Sequence, residues 1–222
     1  MNKKIFPIVI LLAVLFICPV QIKAADANSA AEIKSIELPK PVMEGGKPLM
    51  EALKDRKSSR EFSDEKLSLQ VLSNMLWAAN GISRPDGKRT APSARNKQEI
   101  DIYVAMKDGL YFYDAKENKL VGIAAEDIRE ATGMQPFVKV APVNLVYVAD
   151  YDKMGAGSSE QKDFYAATDT GYISQNVYLF CASEGLATVV RGMVDRDKCK
   201  TVLKLKDNQK IILAQTVGYP EK

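Results

Sequence analysis

The run VNLVYVA at residues 143–149 constrains the fold of this chain more than any other stretch. It is short, continuously apolar and set between Pro142 and Asp150, the pattern of a strand central to a sheet. Other strands read around it. Ile100, Ile102, Val104 and Met106 alternate as in a half-buried strand, and Asp108-Gly109 is a tight-turn signal, so residues 110–113 should return antiparallel. A turn at residues 116–118 leads to residues 120–123, and residues 211–217 form a last strand.

Helical spacing separates these strands. A short helix runs through Leu49, Ala52 and Leu53. Residues 69–80 carry Leu72, Met75, Leu76 and Ala79 on one face, with Ser68 to cap the start and Gly81 to stop the end. A helix is also expected over residues 126–132, and another over residues 161–184, ended by Gly185. The second half of that long helix (Ile173, Val177, Tyr178, Leu179, Phe180, Cys181, Ala182) is apolar nearly all round, so it should be buried. Asp195 can cap a short helix through Leu203. Strands and helices interleave without a regular βαβ repeat, so the fold class is α+β.

The ends and the charges set the compartment and exclude chemistries. Residues 1–24 open with Lys3 and Lys4, continue as an apolar run over residues 5–20 and finish at Ala24, the layout of a signal peptide cleaved near Ala24. The expected address is export to the periplasm, with no membrane contact after cleavage. A permanent anchor helix is the competing reading. A bilayer span needs about 20 apolar residues, however, and Pro7 and Pro19 interrupt this run. Ile17 precedes Cys18 where lipidation wants a small residue. Residues 25–47 lack sustained periodicity and read as a linker or N-terminal arm, leaving residues 48–222 as the folded domain. Lys3, Lys4 and Lys23 account for the whole net charge of +3, so the remaining chain is neutral and nucleic acid is a poor partner. There is no histidine, which removes imidazole bases and His-bearing zinc sites. No C-x-x-C is present, and no metal site is expected. An oxidising compartment permits a Cys181–Cys199 disulfide; alternatively Cys181 is a small residue of the core.

Three segments could carry chemistry. Arg56-Lys57-Ser58-Ser59-Arg60 puts three cations and two hydroxyls within one turn, a phosphate cradle or a solvated basic turn. Residues 90–98, TAPSARNKQ, form a loop of small and amide residues that can approach a flat polar ring, or an ordinary loop. Residues 185–193, GLATVVRGM, can lay backbone N–H groups against a cofactor edge, or form a buried strand with one charge at its end. No G-x-G-x-x-G follows a strand and no Walker lysine loop occurs, so nucleotide-binding folds of those kinds lack their phosphate motif.

In order, RKSSREFSDEKLS, TAPSARNKQEIDIYVAM, GLYFYDAKENKL, QPFVKVAPVNLVYVAD, DTGYISQNVYLFCASEGLATVV and the terminal VGYP resemble the nitroreductase superfamily of flavin proteins. Within it they are most similar to the branch of azoline-oxidising dehydrogenases. The resemblance covers residues 48–220. It implies an antiparallel or mixed central sheet flanked by helices, an intertwined homodimer, and FMN in clefts at the subunit interface. By motif, Arg56, Lys57, Ser58 and Arg60 match the group that meets the FMN phosphate, ribityl chain and pyrimidine edge. Pro92, Ser93, Ala94 and Asn96 match the loop supplied by the partner subunit. Gln135 matches a Gln ahead of the Ala-Pro strand, and Val190, Arg191 and Gly192 match the segment beside the isoalloxazine ring near N5.

The activity implied is FMN-dependent oxidoreduction, with hydride passing through N5 from a donor to a small organic acceptor such as a nitroaromatic or quinone. NAD(P)H is the candidate donor, and no catalytic side chain is implied. The azoline-oxidising branch runs in the opposite sense, and a non-catalytic flavin-binding member is a third reading. Three departures stand out. Arg95 replaces a small residue of many relatives, Glu99-Ile100 replaces Pro-Trp, and the sequence ends at Lys222 without the basic residue that elsewhere touches the phosphate.

Overall fold

The computed structural model describes residues 33–221 together with Met1; the expected leader, with Cys18, lies outside that part. Its strands are β1 (Ile36–Glu37), β2 (Ile100–Met106), β3 (Gly109–Asp114), β4 (Lys119–Ala124), β5 (Val143–Asp150), β6 (Ala187–Arg191) and β7 (Gln209–Gly218). They pair antiparallel throughout in the order β1-β4-β3-β2-β5-β7-β6. The apolar run is β5, buried over residues 143–149 between β2 and β7. Its side chains alternate between two cores. Val143, Leu145, Tyr147 and Ala149 face one, and Val146 and Val148 the other. Each fully buried aliphatic side chain contributes about 1.5–3 kcal/mol.

The first core is covered by α2 (Leu69–Asn80) and α5 (Ser159–Glu184). α2 starts as expected, with Ser68 Oγ accepting from Val71 N–H. Gly81 ends it for a different reason than backbone handedness: its φ is −75°, and a Cβ there would run into Trp77. α5 begins with a Ser158–Gln161 capping box and ends at Gly185 in the left-handed region, φ 71°. The second core is covered by α6 (Arg196–Val202), capped by Asp195, and by Ile128 ahead of the 3-10 turn Arg129–Thr132, while α3 (Phe137–Val140) turns Phe137 to a smaller cluster with Phe62, Ala141, Ala187 and Val189. The helix expected over residues 126–132 shrinks to that single turn, because the Asp127 carboxylate takes both the Arg129 N–H and its guanidinium, and Gly133 follows at once.

Two one-turn helices and one strand were not anticipated. α3 and α4 (Tyr151–Met154) are too short to show a period. β1 lies in the arm and pairs with β4, where Gly109 and Gly122 leave room for Ile33; a Cβ on either would collide with it. Cys181 and Cys199 are free thiols and belong to the first and second cores respectively, on opposite faces of the sheet. The disulfide alternative is therefore excluded by geometry, and Cys181 is a core residue. Burial pushes the Cys199 thiol up to about 12 and that of Cys181 higher still.

Candidate functional site

The basic turn grows from the end of α1 (Leu49–Asp55), where Arg56 N–H still bonds Ala52 O while its ψ of 121° directs the chain outward. Ser59 N–H then donates to Thr188 O at 2.9 Å, which lays the turn along the outer edge of β6. Tyr178 of α5 holds the same segment. Its hydroxyl accepts from Val190 N–H at 2.9 Å and lies 2.8 Å from Ser58 Oγ, and the Arg56 guanidinium sits over its ring, 5.4 Å from the centroid. Such a cation–π contact contributes about 0.5–2 kcal/mol. Arg56, Lys57 and Arg60 take part in no ion pair among the described residues. A cavity of about 480 Å³ opens beside Lys57, Ser59, Tyr178 and Thr188. Three cations outside any ion pair among the described residues, on a fixed turn, suit a dianionic ligand, although Asp55 also lines the cavity.

Residues 187–191 adopt the buried-strand alternative as β6, and its edge still offers backbone groups. Thr188 and Val190 point their main-chain groups outward, and Gly192 follows just past the end of the strand with its carbonyl taken by Val194 N–H. Gly192 is exposed, and a Cβ there would meet only Leu213, at 3.9 Å. Arg191 turns the other way. It is 5% exposed, and its guanidinium donates to Thr132 O (2.9 Å), Asn144 Oδ1 (3.1 Å), Thr216 Oγ1 (3.1 Å) and Gln135 Oε1 (3.4 Å). Every partner is neutral, and desolvation lowers its pKa to about 10. Its side chain is thus a structural post, and its main chain faces β7, where it pairs with Ala214. Gly133 is glycine because a Cβ would strike that guanidinium. Gln135 is drawn into this group, and its amide NH₂ makes no hydrogen bond among the described residues.

Pro92, Ser93, Ala94 and Asn96 lie elsewhere. Ala94 N–H donates to Asp169 Oδ2 at 2.8 Å, nine residues up α5 from Tyr178, or about 13 Å along the axis. Within one chain the loop and the basic turn do not meet. The loop is tightly wound: Arg95, Asn96 and Gln98 have φ of 54°, 54° and 50°, each costing about 1 kcal/mol or more for a non-glycine residue. Internal bonds hold it, Gln98 N–H to Ser93 Oγ and Arg89 Nε to Gln98 Oε1, both 2.9 Å.

Sequence reasoning passed over Tyr178 and the Glu99–Asp169 pair. A hydroxyl in an otherwise apolar buried helix needs a partner, and that was the available signal for Tyr178. Glu99 is fully buried, neither carboxyl oxygen meets a hydrogen-bond donor, and it faces the Asp169 carboxyl within hydrogen-bonding reach. Burial raises its pKa to about 7, its own main-chain N–H opposing and Asp169 adding to the rise.

The chain can be set beside known proteins. A protein assigned as a nitroreductase in Methanocaldococcus jannaschii is 31% identical over 169 residues, 72% of this chain and 85% of that one. The FMN reductase [NAD(P)H] of Bacillus subtilis is 24% identical over 187 residues, 78% of this chain and 66% of that one. A crystal structure assigned as a nitroreductase from Ralstonia eutropha superposes with a TM-score of 0.82 at 41% identity, covering 86% of this chain and 91% of that one. The sequence pattern described as the nitroreductase family matches residues 53–219, which hold the basic turn, the wound loop, Tyr178 and the β6 edge alike, and the chain belongs to that family.

Proposed function

We propose that this protein is an FMN-dependent oxidoreductase. The observation that carries the reading is the turn over residues 56–60, with its three unpaired cations fastened between Tyr178 and the edge of β6 in a chain of this family. The similarity to an FMN reductase supports the cofactor. FMN supplies hydride chemistry when bound. The chain's own residues bind and orient it: Arg56 and Lys57 neutralise the phosphate, Ser58 donates to it, and Arg60 and the free NH₂ of Gln135 approach the pyrimidine edge. Gly192 lets the ring close on the strand edge without steric hindrance.

In this reading the active form is a homodimer in which the loop of one protomer completes the site of its partner. Two observations support it: the loop and the basic turn are separated within one chain, and α1 and α5 expose Leu49, Met50, Phe164, Tyr165 and Tyr172. NAD(P)H is the proposed donor and a nitroaromatic or quinone the proposed acceptor, in an exported protein. Oxidation of an azoline-type substrate is the reverse use of the same site.

The test is an absorption spectrum and anaerobic titration of the purified protein. Bound flavin extracted as FMN and bleached near 450 nm by NADH or NADPH supports the reading; a colourless protein that ignores added FMN overturns it. Arg56→Ala should weaken FMN binding by about 1.5–3 kcal/mol, roughly 10- to 150-fold, the worth of a hydrogen bond from a charged donor. Unchanged affinity in an equilibrium titration would return the turn to an ordinary solvated one.

A further inference from the structure

We propose that Glu99 is a positioning residue whose carboxyl proton is shared with Asp169, so that the acid pair holds the loop over residues 92–98 closed and loss of the proton releases it. The loop's significance rests on the preceding reading, in which it completes the partner's flavin site. The latch itself stands on geometry.

Asp169 is 2% exposed and accepts the Ala94 N–H at 2.8 Å, the bond that ties the wound loop to the long helix. The remaining bonds around residues 93–98 (Gln98 to Ser93, Asn96 and Gly87, Arg89 to Gln98) are internal to the loop and its approach. A backbone with three left-handed non-glycine residues relaxes readily once its external tie is lost. Glu99 lies beside Asp169, wholly buried, and neither of its carboxyl oxygens has a hydrogen-bond partner among the described residues. While Glu99 holds its proton it can donate to the Asp169 carboxyl that accepts the Ala94 N–H. Without that proton a carboxylate is left buried against a second acid in a low dielectric and must move away. The charged groups that face Glu99 are Asp169 from α5 and Lys153 from the turn after β5; Lys153 is already engaged with Asp101 at 2.6 Å. Asp150 reaches Glu99 only through its main chain, donating N–H to Glu99 O.

The latch predicts a loop that is closed in mildly acidic solution and opens as the medium becomes alkaline. Glu99→Gln offers Asp169 a permanent N–H donor of the same shape, so it should lock the loop closed at every pH. The experiment is amide hydrogen exchange of residues 93–98 in the flavin-free full chain from pH 6 to 8, corrected for intrinsic exchange. Wild type should lose about tenfold protection by pH 8, one pH unit above the raised carboxyl, while E99Q stays flat. Carboxyl carbon NMR of the wild type provides a second reading, independent of how the variant folds. A Glu99 that titrates in the ordinary carboxylate range, or identical exchange profiles for wild type and E99Q, overturns the latch. FMN affinity measured over the same pH range separates the two proposals. Loss of affinity in parallel with loop opening supports both; opening without loss supports the latch and overturns the loop's role at the flavin.

Discussion

Two buried ionisable groups stand in contrasting surroundings. Arg191, on the β6 side of the sheet, spends its donors on four neutral oxygens from four separate elements and segments. Glu99, just ahead of β2, has neither carboxyl oxygen matched by a donor among the described residues and lies against another acid. Both are desolvated, yet one keeps its partners through the neutral range and the other is fixed only while it holds a proton. Burial alone therefore does not make a charged residue a switch; the missing partner does. The contrast also divides the site into a rigid half, formed by Tyr178, the basic turn and β6, and a conditional half, the loop over Asp169.

The largest effect should come from breaking the rigid half. Arg191→Met keeps an unbranched apolar stem but strips the carbonyl of Thr132 and the side chains of Asn144 and Thr216 of their charged donor. Each such bond is worth about 1.5–3 kcal/mol, and relief from burying a charge offsets part of the sum, so a net loss of about 3 kcal/mol is expected. For a chain of this size that lowers Tm by about 6–12 °C. A calorimetric scan showing less than about 2 °C would mean that the four acceptors find other donors, and that the post is dispensable.

Legibility followed locality. β5, the capped α2 and α5 with its Gly185 stop could be read because each is specified by neighbours along the chain: a bounded apolar run, a serine three residues before the amide it caps, a glycine at a left-handed end. The basic turn was visible for the same reason, its cations lying within five residues. What joins that turn to the fold was not visible, because Ser58 and Tyr178 are 120 positions apart. Ala94 and Asp169, 75 positions apart, were equally hidden. Arg191 was read as a cofactor-side residue because its segment matched one; only the pleat of β6 reveals that its side chain faces inward. β1 escaped because its pairing depends on room left by Gly109 and Gly122, which no pattern in the arm announces.

A smaller effect should come from the conditional half, and its sign follows from proton counting. A carboxyl held above its ordinary 4.5, at about 7, leaves the folded chain with more bound protons than the unfolded one between those values. Stability from this group is then complete below about 4.5, declines as pH rises through the window, and levels off above about 7. Glu99→Gln removes that dependence. Relative to the variant, wild type should lose about 2 kcal/mol between pH 5 and 8, a Tm difference of about 4–8 °C. Parallel curves for the two proteins would place Glu99 with Arg191, as a group whose surroundings satisfy it.

The smallest effect tests whether the rigid half owes its rigidity to one hydroxyl. Tyr178→Phe keeps the ring beneath Arg56, and so the cation–π contact, but removes the oxygen shared by Ser58 and Val190. Val190 lies on an edge strand and is half-buried, so water can reach part of the orphaned N–H, and the stability loss should be about 1 kcal/mol. The cofactor readout is more telling than Tm. If the hydroxyl sets the position of Ser58 relative to Arg56 and Lys57, FMN affinity should fall about fivefold, less than with Arg56→Ala, because the charges remain and only their alignment is lost. It should do so equally at pH 6 and pH 8, since the proton-controlled Glu99 lies in the other half. A pH-dependent loss in Tyr178→Phe would show that the two halves are coupled through α5, and the division between a fixed and a proton-controlled region would then have to be redrawn around that helix.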